Sequence, residues 1–256
     1  MKFSNLYLRL VYRRLLNKFT IISHRGAAWF IGPIVISLLA VGFALAGEEA
    51  NKLHKFLLKL SPFAPIFYMP AGFMLLTFIV NRYFNGTQGS GIPQTIAELN
   101  NAKSTKNSAL LSPRILLGKL FLTVGGLSIG ASIGREGPTV QIGASVMHWF
   151  YGKGPFKSAE LRRTLIVAGG AAGIASAFNT PLAGIMFAIE ELSKKHVFTA
   201  SSSTLVTVIV SGLISISFLG NYSYFGTSSA HLQWETGALA MIVCGVVGGV
   251  FGGGFS

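Results

Sequence analysis

Residues 133–139 read IGREGPT. An arginine and a glutamate stand side by side there, between the apolar runs ILLGKLFLTVGGLSIGAS (115–132) and VQIGASVMHWFY (140–151). Both runs suit lipid, so the charged pair between them asks for a reason. Arg114 and Lys153 mark the basic loops on either side, and the 38 residues between them must enter a membrane and return. The return piece, 138–151, has 14 residues, about 21 Å of helix at 1.5 Å per residue. A hydrocarbon core about 30 Å thick cannot be crossed by that piece. The break at GREGP therefore falls within the membrane thickness.

The rest of the 256-residue chain is of the same kind. It is 51% hydrophobic and 11% charged, where soluble domains carry about 25% charged residues. Residues 26–46, 63–80 and 200–219 hold 21, 18 and 20 residues without a charge. About 20 apolar residues span a bilayer as a helix, so the chain reads as an all-α, polytopic membrane protein. The ALA at 44–46 resembles a signal-peptidase site, but its basic lead-in and apolar core are longer than a leader's, and further spans follow. The single cysteine, Cys244, excludes an internal disulfide. Five scattered histidines and no aspartate argue against a metal site. No cofactor is expected.

The net charge of +13 admits a nucleic-acid partner, but the basic residues cluster in short loops beside apolar segments. That is the pattern of orientation signals at a cytoplasmic face. Six Lys/Arg and no acid fall within 1–25, which has the spacing of an amphipathic helix on the cytoplasmic membrane surface. Arg82, Lys103, Lys106, Arg114, Lys153, Lys157, Arg162, Arg163, Lys194 and Lys195 mark the same side. Residues 220–236 hold no Lys or Arg and are placed outside. The stretch 47–62, with three Lys and two Glu, is expected as an outside loop. An integral, multi-pass protein of an inner or plasma membrane follows, with a cytoplasmic N-terminus.

Two more breaks resemble the first. GSGIP (89–93) lies between Arg82 and Lys103, and FNTP (178–181) divides 164–178 from 181–192. Each break puts a proline, Pro93, Pro138 or Pro181, where a helix starts, a position that tolerates it because that N–H lacks a partner anyway. Broken backbone at membrane depth survives only where protein or a watery cavity covers it. Converging helix N-termini, each with about half a positive charge and free N–H groups, suit an anion. Gly126, Gly130 and Gly134, and Gly245, Gly249 and Gly253, recur every four residues and are expected as helix-packing seams.

Of the eight acids, Glu136, Glu190 and Glu191 lie in or beside the breaks. Intramembrane ionisable groups are costly and point to function. Glu136 at a helix start behaves as an anion bound to that N-terminus. Deprotonated, it competes with an inorganic anion for the site; protonated, it loses the attraction and swings away. A structural Glu136–Arg135 pair is the plainer alternative. Glu191 sits about 15 Å beyond Pro181 along its helix, where the dipole disfavours negative charge and favours proton uptake. A solvated cluster of Glu190 and Glu191 with Lys194 and Lys195 is the plainer reading there. Adjacent helical positions point about 100° apart, so one of the two glutamates faces inward.

GSGIP, GREGP and FNTPLAGIMFAIEEL (178–192), in that order, resemble the signature segments of the CLC chloride channels and proton/chloride exchangers. The resemblance covers most of 86–192. It implies the first of two inverted repeats built from broken and re-entrant helices. It further implies that Ser90 is the hydroxyl ligand of chloride, with Gly89, Gly91 and Ile92 around it. Glu136 becomes the external gating and proton-carrying glutamate, framed by Gly134, Arg135, Gly137 and Pro138. Glu191 matches the internal proton-transfer glutamate, which favours an exchanger over a channel. Chloride and protons are then cargo, lipid surrounds the chain, and the full-length form is a homodimer.

By the same resemblance, residues 26–219 are the first membrane repeat, 220–236 an extracytoplasmic loop and 237–256 the start of a second repeat. The chain stops at GGVFGGGFS inside an apolar segment, without the G-x-F-x-P motif of that second repeat. A truncated chain is expected, lacking half its anion site. Secondary exchange of chloride for protons is the leading reading. The alternatives are a passive chloride channel, an inactive fragment, and an intramembrane serine hydrolase. The last lacks an aspartate, and His148 is the nearest histidine to the breaks.

Overall fold

The computed structural model describes residues 3–101, 108–153, 156, 158–193, 202–220 and 234–255. Lys103, Lys106, Lys157, Lys194, Lys195 and nearly all of 220–236 lie outside the described residues. Among the described residues every regular element is helical: α1 (Phe3–Leu60), α2 (Pro65–Tyr83), α3 (Ile92–Asn100), α4 (Pro113–Ser128), α5 (Glu136–His148), α6 (Ala159–Phe178), α7 (Pro181–Phe187), α8 (Ser202–Leu219) and α9 (Trp234–Phe255). A π-helical turn, Ala188–Leu192, continues α7. The chain forms two compact units, Met1–Tyr222 and Ser223–Ser256, the second carrying the apolar α9.

Among the described residues three helices are long and apolar enough to cross a membrane, within Ala28–Leu60, Ser202–Leu219 and Gly237–Phe255. The 63–80 block forms α2, whose prolines and polar end at Asn81 and Arg82 lower its hydropathy. The helix α1 departs from expectation at both ends. Its 58 residues run unbroken through 25/26 and through the expected outside loop, stopping only at Ser61 and Pro62. The physical reason is local. Residues 48–60 contain no Gly or Pro and are rich in Glu, Lys and Leu, good helix formers. A Glu49–Lys52 ion pair one turn apart (2.7 Å) lies on this stretch.

The short helix α5 sits at the centre of the first unit. Every residue from Pro138 to His148 of α5 is buried, which is how a 13-residue helix survives in a membrane protein without spanning it. α6 lies against it so closely that a Cβ at Gly143 would overlap the carbonyl oxygen of Gly169, and one at Gly173 the carbonyl of Thr139. Small residues allow such backbone approach between membrane helices. The expected seam at Gly126, Gly130 and Gly134 is not one. α4 ends at Ser128, and Gly130 is a loop residue with φ +92. α6, at 20 residues, is also longer than expected, because it begins at Ala159 and includes Arg162 and Arg163.

Arg162 is not the exposed cytoplasmic marker that its sequence context suggests. Its guanidinium donates to the carboxylate (2.5 Å) and main-chain oxygen (2.7 Å) of Glu98 at the end of α3, both side chains being almost fully buried. The pair locks α3 to α6. Glu98→Leu is expected to lower stability by ~3–5 kcal/mol by stranding a buried cation, and adding Arg162→Leu should restore most of that loss. Thermal unfolding of the purified variants checks it; equal instability of single and double variants would argue against the coupling.

A polar ladder ties α1, α6 and α8 together. Ser37 donates to the Ser211 carbonyl (2.6 Å), the hydroxyls of Ser176 and Ser211 are 2.7 Å apart, and Ser215 donates to Asn179 Oδ1 (2.8 Å). Such bonds between membrane helices average about 0.6 kcal/mol each. They hold the scaffold around α5 in register.

Candidate functional site

GSGIP becomes a tight turn leading into α3. Gly89 and Gly91 have φ of +72 and +102, values that favour glycine, and Gly91 is the N-cap. Ser90 projects between them, exposed, with its Oγ 3.4 Å from the Ile92 N–H. The turn is pinned from below by Lys119 of α4. Its ammonium donates to the carbonyls of Thr87 (2.8 Å) and Gly89 (2.5 Å) and is 2% exposed. Gln141 of α5 donates to the carbonyls of Gly86 (3.4 Å) and Leu110 (3.0 Å), bracing the same loop. The Lys119 side chain thus lies buried against the loop that carries Ser90. The sequence reading passed over Lys119 and Gln141. A lone lysine in the run 115–132 was the available signal, because ionisable groups inside apolar helices default to function.

GREGP opens α5. Arg135 is the N-cap, Glu136 the first helical residue, Gly137 the second and Pro138 the third. The start is secured from two sides. Arg135 donates to the Ala44 carbonyl of α1 (3.3 Å), and Thr139 Oγ1 donates to the Glu136 carbonyl (2.6 Å). The Glu136 side chain is half-buried and folds back over Gly134, whose missing Cβ leaves room for the carboxylate.

The two motifs interlock. A Cβ built on Gly137 would lie 2.7 Å from the Ser90 carbonyl oxygen and 2.9 Å from the Ser90 Cβ. A Cβ on Gly91 would lie 3.0 Å from the Gly137 carbonyl oxygen and 2.9 Å from the Gln141 Cβ. Glycine at both positions therefore permits the contact, and the start of α3 meets the start of α5 with Ser90 at the junction. Gly89, Ser90, Gly91, Ile92, Gly134, Arg135, Glu136 and Gly137 form one locality built from two segments, 89–92 and 134–137.

The third break is placed differently. Asn179 ends α6 in the left-handed conformation (φ 56), and its side chain donates to the Gly220 carbonyl (3.2 Å). Pro181 packs on Gly212 of α8, so this break turns the chain within the α6–α8 scaffold. At the other end of this segment Glu190 is exposed and Glu191 half-buried, on the π-helical turn. The next residue, Leu192, packs with Leu99, Leu111, Ala144 and Ile166, which places Glu191 beside the core shared by α3, α5 and α6.

The helix starts differ in their capping, and α2, like the breaks, has no side-chain cap at its N-cap Ala64. α4 and α6 begin with serine caps: Ser112 accepts from the Ile115 N–H (3.3 Å) and Ser158 from the Leu161 N–H (3.2 Å). The N-cap residues of α3, α5 and α7 make no side-chain cap. First-turn N–H groups seek an acceptor; at α3 the Ile92 N–H already meets Ser90 Oγ and Pro93 has none, while α5 opens beside the same serine. Helix N-termini attract anions by dipole and hydrogen bond together.

Comparison with known proteins agrees with this chemistry. The sequence profile described as voltage gated chloride channel matches residues 72–256. A slow cyanobacterial Cl−/H+ antiporter, solved by X-ray crystallography, superposes with a TM-score of 0.64 at 29% identity, over 88% of this chain and 54% of the antiporter. The chain spans about half the length of that structure.

Proposed function

Because the chain belongs to the voltage gated chloride channel family, we propose that it supplies one half of a pathway that exchanges chloride for protons across a membrane. Chloride is held by the Ser90 O–H and the first amides of α5, beside the start of α3 and with the Lys119 side chain beneath. The observation that carries this reading is the contact of Ser90 with Gly137, which puts both helix starts at one place.

Glu136 is the gate. Its carboxylate occupies the α5 N-terminus as a built-in anion, an attraction worth about 0.3–2 kcal/mol. That is weak enough for a proton or an incoming chloride to displace it. Protonation cancels the attraction and frees the position, so anion entry and proton uptake alternate at one residue. Glu191, half-buried at the far end of α7 and its π turn, loads protons from the opposite side. The N-terminus and the basic loops face the cytoplasm of an inner or plasma membrane, and the full-length protein is a homodimer.

Glu191→Gln is expected to remove proton movement while chloride flux continues. Simultaneous chloride and pH recording from proteoliposomes of the complete protein reads both. Proton pumping that persists in this variant would remove Glu191 from the path. The second reading is a passive chloride channel, favoured by the description of the family itself. A reversal potential that ignores the proton gradient would establish it instead of exchange.

A further inference from the structure

The connections from α3 to α4 and from α5 to α6 enclose a cavity of about 360 Å³, lined by Ser108, Ser112, Pro113, His148, Trp149 and Lys153 among others. Each of its polar side chains can donate a hydrogen bond to an anion. His148 is 3% exposed, and its buried Nε2 has no hydrogen-bond partner. The hydroxyl oxygens of Ser108 and Ser112 already accept main-chain N–H groups, leaving their O–H groups to donate elsewhere. The Lys153 ammonium lies over the Trp149 ring, 2.8 Å from its centroid. α4, 16 residues long, begins at the cavity wall with Pro113. No acidic residue lines the cavity among the described residues.

An apolar groove adjoins this polar cavity. Pro113 and Trp149 also line a groove of about 270 Å³ with Ile31, Val35, Leu39 and Leu116. Leu39 in turn belongs to a second groove of about 270 Å³ with Leu38, Phe43, Leu120 and Phe121. Both run between α1 and α4. From Ile31 to Ala46 the path follows α1 for 15 residues, about 22 Å. One leaflet contributes about half of the ~30 Å hydrocarbon core, so this path accommodates an acyl chain through its leaflet.

We propose that this composite groove binds one anionic phospholipid, its phosphate in the His148–Lys153 cavity and one acyl chain between α1 and α4. The cavity lies on the side that the basic loops assign to the cytoplasm, whose leaflet carries the anionic lipids. The site is separate from the junction of α3 and α5, so its failure would leave the chloride reading untouched.

Native mass spectrometry of the full chain, with dioleoylphosphatidylglycerol or dioleoylphosphatidylcholine added, tests it. One phosphatidylglycerol should be retained with about five-fold preference over phosphatidylcholine, the effect of one well-placed cation. This preference is read on the unaltered chain and needs no variant. Lys153→Gln should erase it. Gly42→Leu should weaken both lipids alike, because Gly42 lines the second groove and a Cβ there meets nothing within 4 Å. Three outcomes would each overturn the proposal: no lipid retained, equal retention by parent and both variants, or inorganic phosphate binding as tightly as the lipid. The last would identify a free oxyanion site.

Discussion

Glu136→Gln in the complete protein is expected to abolish proton transport while leaving chloride flux intact and insensitive to external pH. Glutamine keeps the size and hydrogen-bonding shape of the side chain that folds over Gly134. It removes the charge that competes for the α5 N-terminus and the group that accepts the proton. Both effects arise from the same atoms, so gating and coupling should be lost together. An exchanger that has lost its proton half-cycle conducts chloride down its gradient only. The check is the proteoliposome assay with an opposing proton gradient: the parent drives protons uphill and the variant does not. Uphill proton movement in the variant would remove Glu136 from the mechanism.

Gly137→Ala is expected to disrupt chloride binding although it adds a single methyl group. The new Cβ would lie 2.7 Å from the Ser90 carbonyl oxygen, closer than real Cβ contacts come, and that neighbour is backbone. One of the two helix starts must shift. Overpacking of this kind costs about 1–3 kcal/mol. Because the shift falls on the groups that hold the ion, chloride affinity should fall about tenfold or more, roughly 1.4 kcal/mol. Calorimetric chloride titration of the complete protein measures it. Gly42→Ala, placed where a Cβ meets nothing within 4 Å, is the control expected to bind as the parent does. Unchanged affinity in Gly137→Ala would mean that chloride does not sit at the α3–α5 junction.

The breaks in the membrane helices were legible because proline and glycine act locally. Pro93, Pro138 and Pro181 fall within the first turns of α3, α5 and α7, as their chemistry requires. The shortness of α5 followed from counting residues between basic loops. The charged stretch 47–62 reads as a loop because charge indicates exposure, and a helix that leaves the membrane, as α1 does up to Leu60, is exposed as well. Arg162 was misread because its partner Glu98 lies 64 residues away, and no local pattern distinguishes a buried arginine from a surface one. That α3 and α5 meet at Ser90 and Gly137 is a tertiary fact that no spacing within either motif encodes. The two glutamates of the π turn followed helical geometry, one exposed and one half-buried.

A halide held by the first amides of α5 and the Ser90 hydroxyl, where α3 and α5 meet, has a place that can be seen. Anomalous diffraction from crystals of the complete protein soaked in bromide tests it directly. The account predicts a bromide peak within hydrogen-bonding distance of Ser90 Oγ and the first amides of α5. Bromide bound elsewhere in the protein, with none at this junction, would contradict it.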